Sequence, residues 1–421
     1  MNNSITYNSL YYRKFGCVSK RSIAFSVLFF LLIFQNILEQ QIGFIKYTDE
    51  ILSFVFLIYF ITSGIKTEKK LSRDLSKILI AFLGFAFFVI ISTFINSKQT
   101  HIAEILDLIA IVKFPATFLG ASLYFDRRVN KRFDIGGIIK LIITYLFLYF
   151  IIDLFFNFNH STELHFKGLF HVITLGFRHE TFLNASLVIL MGGAHLFIHK
   201  KKKIYIFMCF ILMACTFKSK AYLFFAAYLY MYYSYGKKLS KRVVAVGMSC
   251  ILIYYFVVDK IMYYWSGTGD LTARRAFITT CIFIAFNYFP FGLGLGNFGS
   301  YVARDYYPKY YYEFGFNKIW GLYPENPKFF SDHFWPTIIG EAGAIGCVCY
   351  IVFLFLIYKR IKERCKDKIV FLGCITPFLY ILCASVAESS IFNSYSALYG
   401  LCLALFLSQA KAGIAVDEKF T

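Results

Sequence analysis

Apolar segments of membrane-spanning length recur along the whole chain, and they constrain its fold more than any other feature. The sequence is 58% hydrophobic and 16% charged, whereas about a quarter of the residues in soluble domains are charged. Because the segments lack the alternation of lipid-facing strands, they predict an all-α polytopic membrane protein with about 12 transmembrane helices. The predicted spans are residues 22–39, 48–65, 77–96, 102–125, 136–157, 180–199, 203–217, 219–236, 242–259, 334–358, 369–388 and 391–409.

The basic residues predict the orientation of these spans. The chain carries 44 Lys and Arg against 24 acidic residues, and in a soluble protein such a surplus would suggest nucleic acid. Most of these cations, including the clusters at 200–203 and 359–364, fall in alternate connections, as expected for cytoplasmic loops. We therefore expect no nucleic-acid partner and place both termini in the cytoplasm.

This topology divides the chain into three regions. Residues 1–258 hold the first nine predicted spans, residues 259–333 form one large external loop, and residues 334–421 hold the last three spans and a cytoplasmic tail. No small-residue cleavage site follows the first span, so that span is predicted to remain as an uncleaved anchor.

The large loop has two parts. Residues 272–288 are amphipathic and stop before Pro290, which predicts a helix at the outer membrane interface. Beyond it, 15 aromatic residues lie between Phe298 and Trp335, in a segment that we expect to be an ordered, irregular lid. These rings are interpreted either as interfacial belt residues or as a platform that stacks on sugar rings.

Two other external features are interpreted as structural. The glycine run from Gly292 to Gly296 lacks the strand and the Lys-Ser/Thr of a phosphate loop, so a tight turn is expected. The spacing of four histidines does not place them on one helical face, and we expect interfacial polar residues and no metal or other cofactor: His160, His165, His171 and His179.

Five external cations are candidates for binding phosphate, because a guanidinium or ammonium group near the membrane surface can contact the phosphates of a lipid. They are Arg178, Lys218, Lys220, Arg274 and Arg275. Candidate proton acceptors are Asp332 and His333, where the loop re-enters the membrane. Glu341 lies deeper, and we expect it to form a structural hydrogen bond. Asp107 and Lys113 lie on different faces of one helix, so their partners are predicted on other helices.

The order of several short motifs resembles the O-antigen ligase and polymerase superfamily. The motifs are Arg275, a Pro-x-Gly-x-Gly-x-Gly-Asn-Phe run from Pro290, the Asp332-His333 pair, and Glu341-x-Gly-x-x-Gly. The resemblance implies an integral-membrane glycosyltransferase. Its donor would be an oligosaccharide linked to undecaprenyl diphosphate, on the outer face of the bacterial cytoplasmic (inner) membrane.

The resemblance also implies residue roles. Arg275 and Arg178 match arginines at the donor diphosphate, and Lys220 stands where the family often has arginine. Asp332 occupies the position of the ligases' catalytic histidine, which looks more like the polymerases and leaves open whether Asp332 or His333 acts. We therefore expect a repeat-unit polymerase of O-antigen or capsule, with membrane lipid and a chain-length regulator protein as further partners. The alternatives are a ligase that transfers glycan to lipid A core or protein, and a transporter or flippase of lipid-linked glycan.

Overall fold

The computed structural model describes residues 20–66, 71–128, 134–156, 164–165, 170–235, 272–330 and 332–411, with a few positions between 243 and 254. These residues are helical apart from turns, two short 3₁₀ segments and an antiparallel pair of two-residue strands, β1 (Leu164–His165) and β2 (Phe170–His171). The first helices are α1 (Lys20–Ile33), α2 (Gln35–Leu38), α3 (Thr48–Lys66), α4 (Arg73–Asn96), α5 (His101–Asp126), α6 (Gly136–Phe156), α7 (Glu180–Phe197), α8 (Lys202–Ala214) and α9 (Ser219–Ser234). The later ones are α10 (Ala273–Asn287), α11 (Tyr301–Tyr306), α12 (Lys309–Glu313), α13 (Phe334–Arg364), α14 (Lys368–Ala384) and α15 (Ser396–Lys411).

Four of the described helices are long and apolar enough to cross a membrane, namely α4, α6, α7 and α13. The all-helical fold class is therefore confirmed, whereas the number of twelve spans stays a prediction. Most predicted spans coincide with a described helix, but the segment 242–259 lies largely outside the described residues. The amphipathic segment predicted at 272–288 forms α10.

Two predicted spans form shorter helices in the structure, because polar residues lie within the predicted segments. Segment 22–39 is interrupted at Phe34, and the polar Gln35 beyond it is buried and donates hydrogen bonds to Asp49 Oδ1 (2.8 Å) and to the Lys46 carbonyl (3.1 Å). The last predicted span begins only at Ser396, because residues 385–395 form turns; this segment holds four serines and one asparagine.

The helices bury two apolar cores. In the main core α4 packs on α13, α5 packs on α3 and α15, and α7 packs on α14. A second core lies between α10 and the irregular segment that follows it, and α10 also packs against α13. This arrangement fixes the start of α13 beside the start of α10.

Helix α13 is broken at Gly343, whose φ of 76° is left-handed. The carbonyls of Gly340 and Glu341 accept hydrogen bonds from the backbone nitrogens of Leu293 (2.7 Å) and Gly294 (3.1 Å). The glycine run is therefore a tight turn, as predicted, and it supplies the donors that the helix lacks at its break.

Candidate functional site

Charged side chains from five parts of the chain meet where α7, α9, α10 and α13 begin. Asp332 stands two residues before the first residue of α13, and its Oδ2 lies 3.5 Å from Arg274 Nη2 in the first turn of α10. Lys220 and His179 also act electrostatically on Asp332. We define the charged cluster as His179, Glu180, Lys218, Lys220, Arg274, Asp332 and Glu388.

Lys220 is the most enclosed cation of this cluster. Its ammonium group pairs with Glu388 and donates a hydrogen bond to the Thr181 hydroxyl. The Lys220 and Glu388 side chains are only 10% and 9% exposed, and a charge buried to this extent is costly unless it is paired. The sequence analysis did not identify Glu388, because this residue stands at the end of a predicted apolar span. A carboxylate at the end of such a span is the feature that could have identified it.

Glu180 joins two further members of the cluster. Its Oε2 lies 3.3 Å from Lys218 Nζ and 3.4 Å from His179 Nδ1. Burial lowers the pKa of His179, and the Glu180 carboxylate opposes this effect. Apart from His179, the cluster holds three basic side chains and three carboxyl groups: Lys218, Lys220 and Arg274 with Glu180, Asp332 and Glu388.

Arg178 points toward a different group. Its guanidinium Nη1 lies 3.3 Å from Glu39 Oε1, and its backbone nitrogen donates to Asn36 Oδ1 at 2.8 Å. Burial raises the pKa of Glu39, whereas Arg178 lowers it. The Arg178 side chain remains 56% exposed, so it can still receive a ligand.

Asp332 and His333 have opposite environments. Partial burial raises the pKa of Asp332, although Arg274, Lys220 and His179 oppose the rise. The His333 ring is buried and stacks on Phe277 with 4.4 Å between the ring centroids. Burial, reinforced by Arg274, lowers the pKa of His333 to about 3. Asp332 therefore faces the cations, while His333 belongs to the second core.

The structure separates the two adjacent arginines of α10. Successive helical residues point about 100° apart, and Arg274 is the one directed at Asp332. Arg275 is exposed, and its guanidinium makes no hydrogen bond or ion pair with the residues that the structure describes. Its predicted contact with a diphosphate stays a prediction.

Glu341 and Asp107 form a buried carboxyl pair that joins α13 to α5. The two carboxyl groups lie within interaction range of each other. The backbone nitrogen of Gly296 also donates to Asp107 Oδ2 at 2.9 Å. Lys113 pairs with Asp49 at 2.7 Å and with Glu50 at 3.1 Å. The partners thus come from other helices, as predicted.

Most aromatic residues beyond α10 are structural. Phe277 contacts the rings of Phe298, Tyr311, Phe316 and Phe330, with centroid distances between 4.8 and 6.2 Å. The sequence predicted a membrane-interface belt or a sugar platform, but these rings form an apolar core of their own, which orders the segment. The rings that remain exposed enough to stack on a ligand include Tyr306, Tyr312 and Trp320.

Within the described ranges, no three His, Cys, Asp or Glu side chains converge as metal ligands do. His171 is exposed, while His160 and the His165 side chain lie outside the described residues. No protein-family model matches the sequence, and no curated protein matches it. The resemblance to the O-antigen superfamily therefore rests on the short motifs alone.

Proposed function

We propose that the protein is a membrane glycosyltransferase that polymerises lipid-linked polysaccharide repeat units of the O-antigen or capsule type. The observation that carries the proposal is the position of Asp332. This carboxylate contacts Arg274, lies in the field of Lys220, and precedes a helix long and apolar enough to cross a membrane. A proton acceptor beside cations is what transfer from a diphosphate-linked donor requires.

In the proposed reaction a hydroxyl at the non-reducing end of one lipid-linked repeat unit attacks the anomeric carbon of the chain on a second lipid. The new glycosidic C–O bond forms as the bond to undecaprenyl diphosphate breaks, and the diphosphate takes the electron pair. Asp332 accepts the hydroxyl proton. Its raised pKa makes it a stronger base than an ordinary aspartate.

His333 has a different role in this proposal. Its ring is buried on Phe277, and a pKa of about 3 keeps it neutral and weakly basic. We assign it to positioning Asp332, which is its neighbour along the chain.

The leaving diphosphate would be stabilised by arginines at the edge of the charged cluster. Inside the cluster the cations are matched by carboxylates, so an added diphosphate needs further positive charge. Arg275 is exposed and has no described partner, which supports its role at the diphosphate. Arg274 and Lys220 would act from within the cluster, and Arg178 would contribute from its exposed position beside Glu39.

The same proposal includes the location of the protein. We place it in the bacterial cytoplasmic membrane with about 12 spans, both termini in the cytoplasm, and the charged cluster on the external face. The exposed apolar residues Ile282, Phe283 and Phe286 of α10 support a helix whose outer side contacts lipid.

One observation favours a second candidate function. A transporter of lipid-linked glycan predicts helices broken within the membrane, and α13 is broken at Gly343. However, the carbonyls of Gly340 and Glu341 at this break are hydrogen-bonded to the turn that begins at Gly292. They are occupied rather than directed at an ion or substrate, so we prefer the enzyme.

The test is gel analysis of surface glycan from a deletion strain complemented with wild type, Asp332→Asn, Arg275→Ala or the control Arg304→Ala. Arg304 pairs with Asp305 in the same segment and has no proposed role. A polymerase predicts that Asp332→Asn leaves a single repeat unit on lipid A core and that the control keeps the long ladder. Loss of all attached glycan with long lipid-linked chains would indicate a ligase, and an unchanged ladder in the deletion strain would exclude both enzymes.

A further inference from the structure

A cavity of about 370 Å³ lies between the first turn of α4 and the end of α13. Along a helix that rises about 1.5 Å per residue, Arg360 is about 40 Å from Asp332, so the cavity is separate from the charged cluster. Its charged lining comprises four cations and two carboxylates: Arg73, Asp74, Lys77, Lys359, Arg360 and Glu363. At roughly 30 Å³ per water molecule, the volume is large enough for a hydrated phosphate group.

Arg360 is the most buried cation of this lining, with a side chain only 1% exposed. It pairs with Asp74 and with Asp126 (2.8 Å), and Arg364 contacts the same two carboxylates. These two arginines and two aspartates balance in charge. The Nε of Arg360 is nevertheless buried without a hydrogen-bond partner among the described residues, and such a charged donor is costly to leave unsatisfied.

The positive charges of the remaining lining cations are not balanced by carboxylates of the protein. Arg73 and Lys77 are exposed, make no ion pair with described residues, and stand one helical turn apart on α4. Like charges at this spacing repel each other. Lys359 has only a long contact of 3.8 Å with Glu363. A bound anion would relieve the repulsion and supply an acceptor for Arg360.

Exposed apolar residues continue from these cations along both helices. On α4 they follow Lys77 at intervals of three or four residues, and on α13 they precede Lys359 at the same intervals, so each set shares a helix face with its cation. The residues are Ile80, Leu83 and Phe87 on α4, and Val348, Val352 and Phe355 on α13. Each helix therefore offers an apolar band that ends at positive charge.

We propose that this cavity binds the phosphate of an anionic phospholipid, whose acyl chains lie along the exposed apolar faces of α4 and α13. Arg73 and Lys77 contact the headgroup at the cavity mouth, and Arg360 donates from its buried Nε. The cavity lies on the predicted cytoplasmic side, where anionic lipids attract basic pockets. The proposal does not depend on the glycosyltransferase activity.

The experiment uses the purified full-length protein in detergent and measures the binding of phosphatidylglycerol and phosphatidylcholine by native mass spectrometry. The variant is Arg73→Gln/Lys77→Gln, which alters two exposed residues and leaves the ion pairs of Arg360 intact. The matched control is Lys200→Gln/Lys203→Gln, which removes the same charge from exposed positions in another predicted cytoplasmic connection.

We expect the cavity variant to bind phosphatidylglycerol at least tenfold more weakly, the control to change by less than threefold, and phosphatidylcholine binding to be unaffected by either. Equal losses in both variants would overturn the proposal, because they would show general surface attraction. A separate arm titrates inorganic phosphate and follows the thermal midpoint. If phosphate stabilises the wild type as much as phosphatidylglycerol does, and only while Arg73 and Lys77 are present, the ligand is a free anion and the lipid assignment is wrong.

Discussion

Removing one member of the Lys220–Glu388 pair should destabilise the protein far more than removing both. Both side chains are at most 10% exposed, so a single substitution leaves a buried charge without a partner. The expected cost is about 3–5 kcal/mol for either Lys220→Met or Glu388→Leu. The double variant buries no charge and loses little beyond the hydrogen bond to Thr181, about 1 kcal/mol.

The Arg274–Asp332 pair provides the comparison for this magnitude. Its closest approach is 3.5 Å, and its side chains are 27% and 35% exposed. Solvent screens such a pair, so we expect a coupling of about 1 kcal/mol or less. The two pairs belong to the same cluster, but the Lys220–Glu388 pair is both more buried and more closely spaced, which accounts for its larger expected value.

The assay is a double-mutant cycle of unfolding free energies, measured by SDS-induced unfolding of the purified protein in mixed micelles. A coupling near zero for Lys220 and Glu388, with costs that add in the double variant, would refute the argument from burial. If the double variant is stable, its glycan ladder then reports whether the Lys220 charge is needed for activity apart from its structural pairing.

Three further predictions follow from the site and the turn. If Asp332 is the base, activity falls as the pH drops through the raised pKa of Asp332. The pH–rate profile should show no inflection near 6.5, because His333 is already neutral there. An inflection near 6.5 that His333→Gln abolishes would reverse the assignment. Gly343→Ala should lower stability by more than 1–2 kcal/mol, since the residue has positive φ and an added Cβ would lie 2.3 Å from backbone; Gly64→Ala, in open space within a helix, should be neutral or stabilising in the same thermal assay. Phe277→Ala should cost about 3–5 kcal/mol, and a loss below 1 kcal/mol would show that the second core is not cooperative.

The lengths of the hydrophobic segments predicted most helix positions, because a helix that is buried in lipid or in a core needs a continuous run of apolar residues. This prediction failed at residues 34 and 385–395, where buried polar side chains stand within or beside the apolar run, some of them bonded to residues far along the chain. Such bonds depend on partners outside the segment, as with Gln35 and Asp49.

The sequence predicted which residue types form the site, but not which way their side chains point. The sequence identified both Arg274 and Arg275, yet neighbouring helical residues differ by about 100°, and only packing shows which one meets Asp332. Glu388 was not identified because it ends a predicted apolar span, and its pairing with Lys220 joins parts of the chain that are distant in sequence. The aromatic residues were assigned to lipid or sugar, whereas many of them pack into the second core, four of them directly against Phe277.

The break in α13 also has a consequence for the order in which the chain folds during synthesis. The turn that begins at Gly292 is synthesised before α13. The backbone nitrogens of Leu293 and Gly294 therefore lack their acceptors, the carbonyls of Gly340 and Glu341, until α13 has been synthesised and inserted. An unfinished chain that ends before α13 leaves this turn without its acceptors. We expect nascent chains of that length to be cleaved by added protease near the turn, and chains extended through α13 to be protected there.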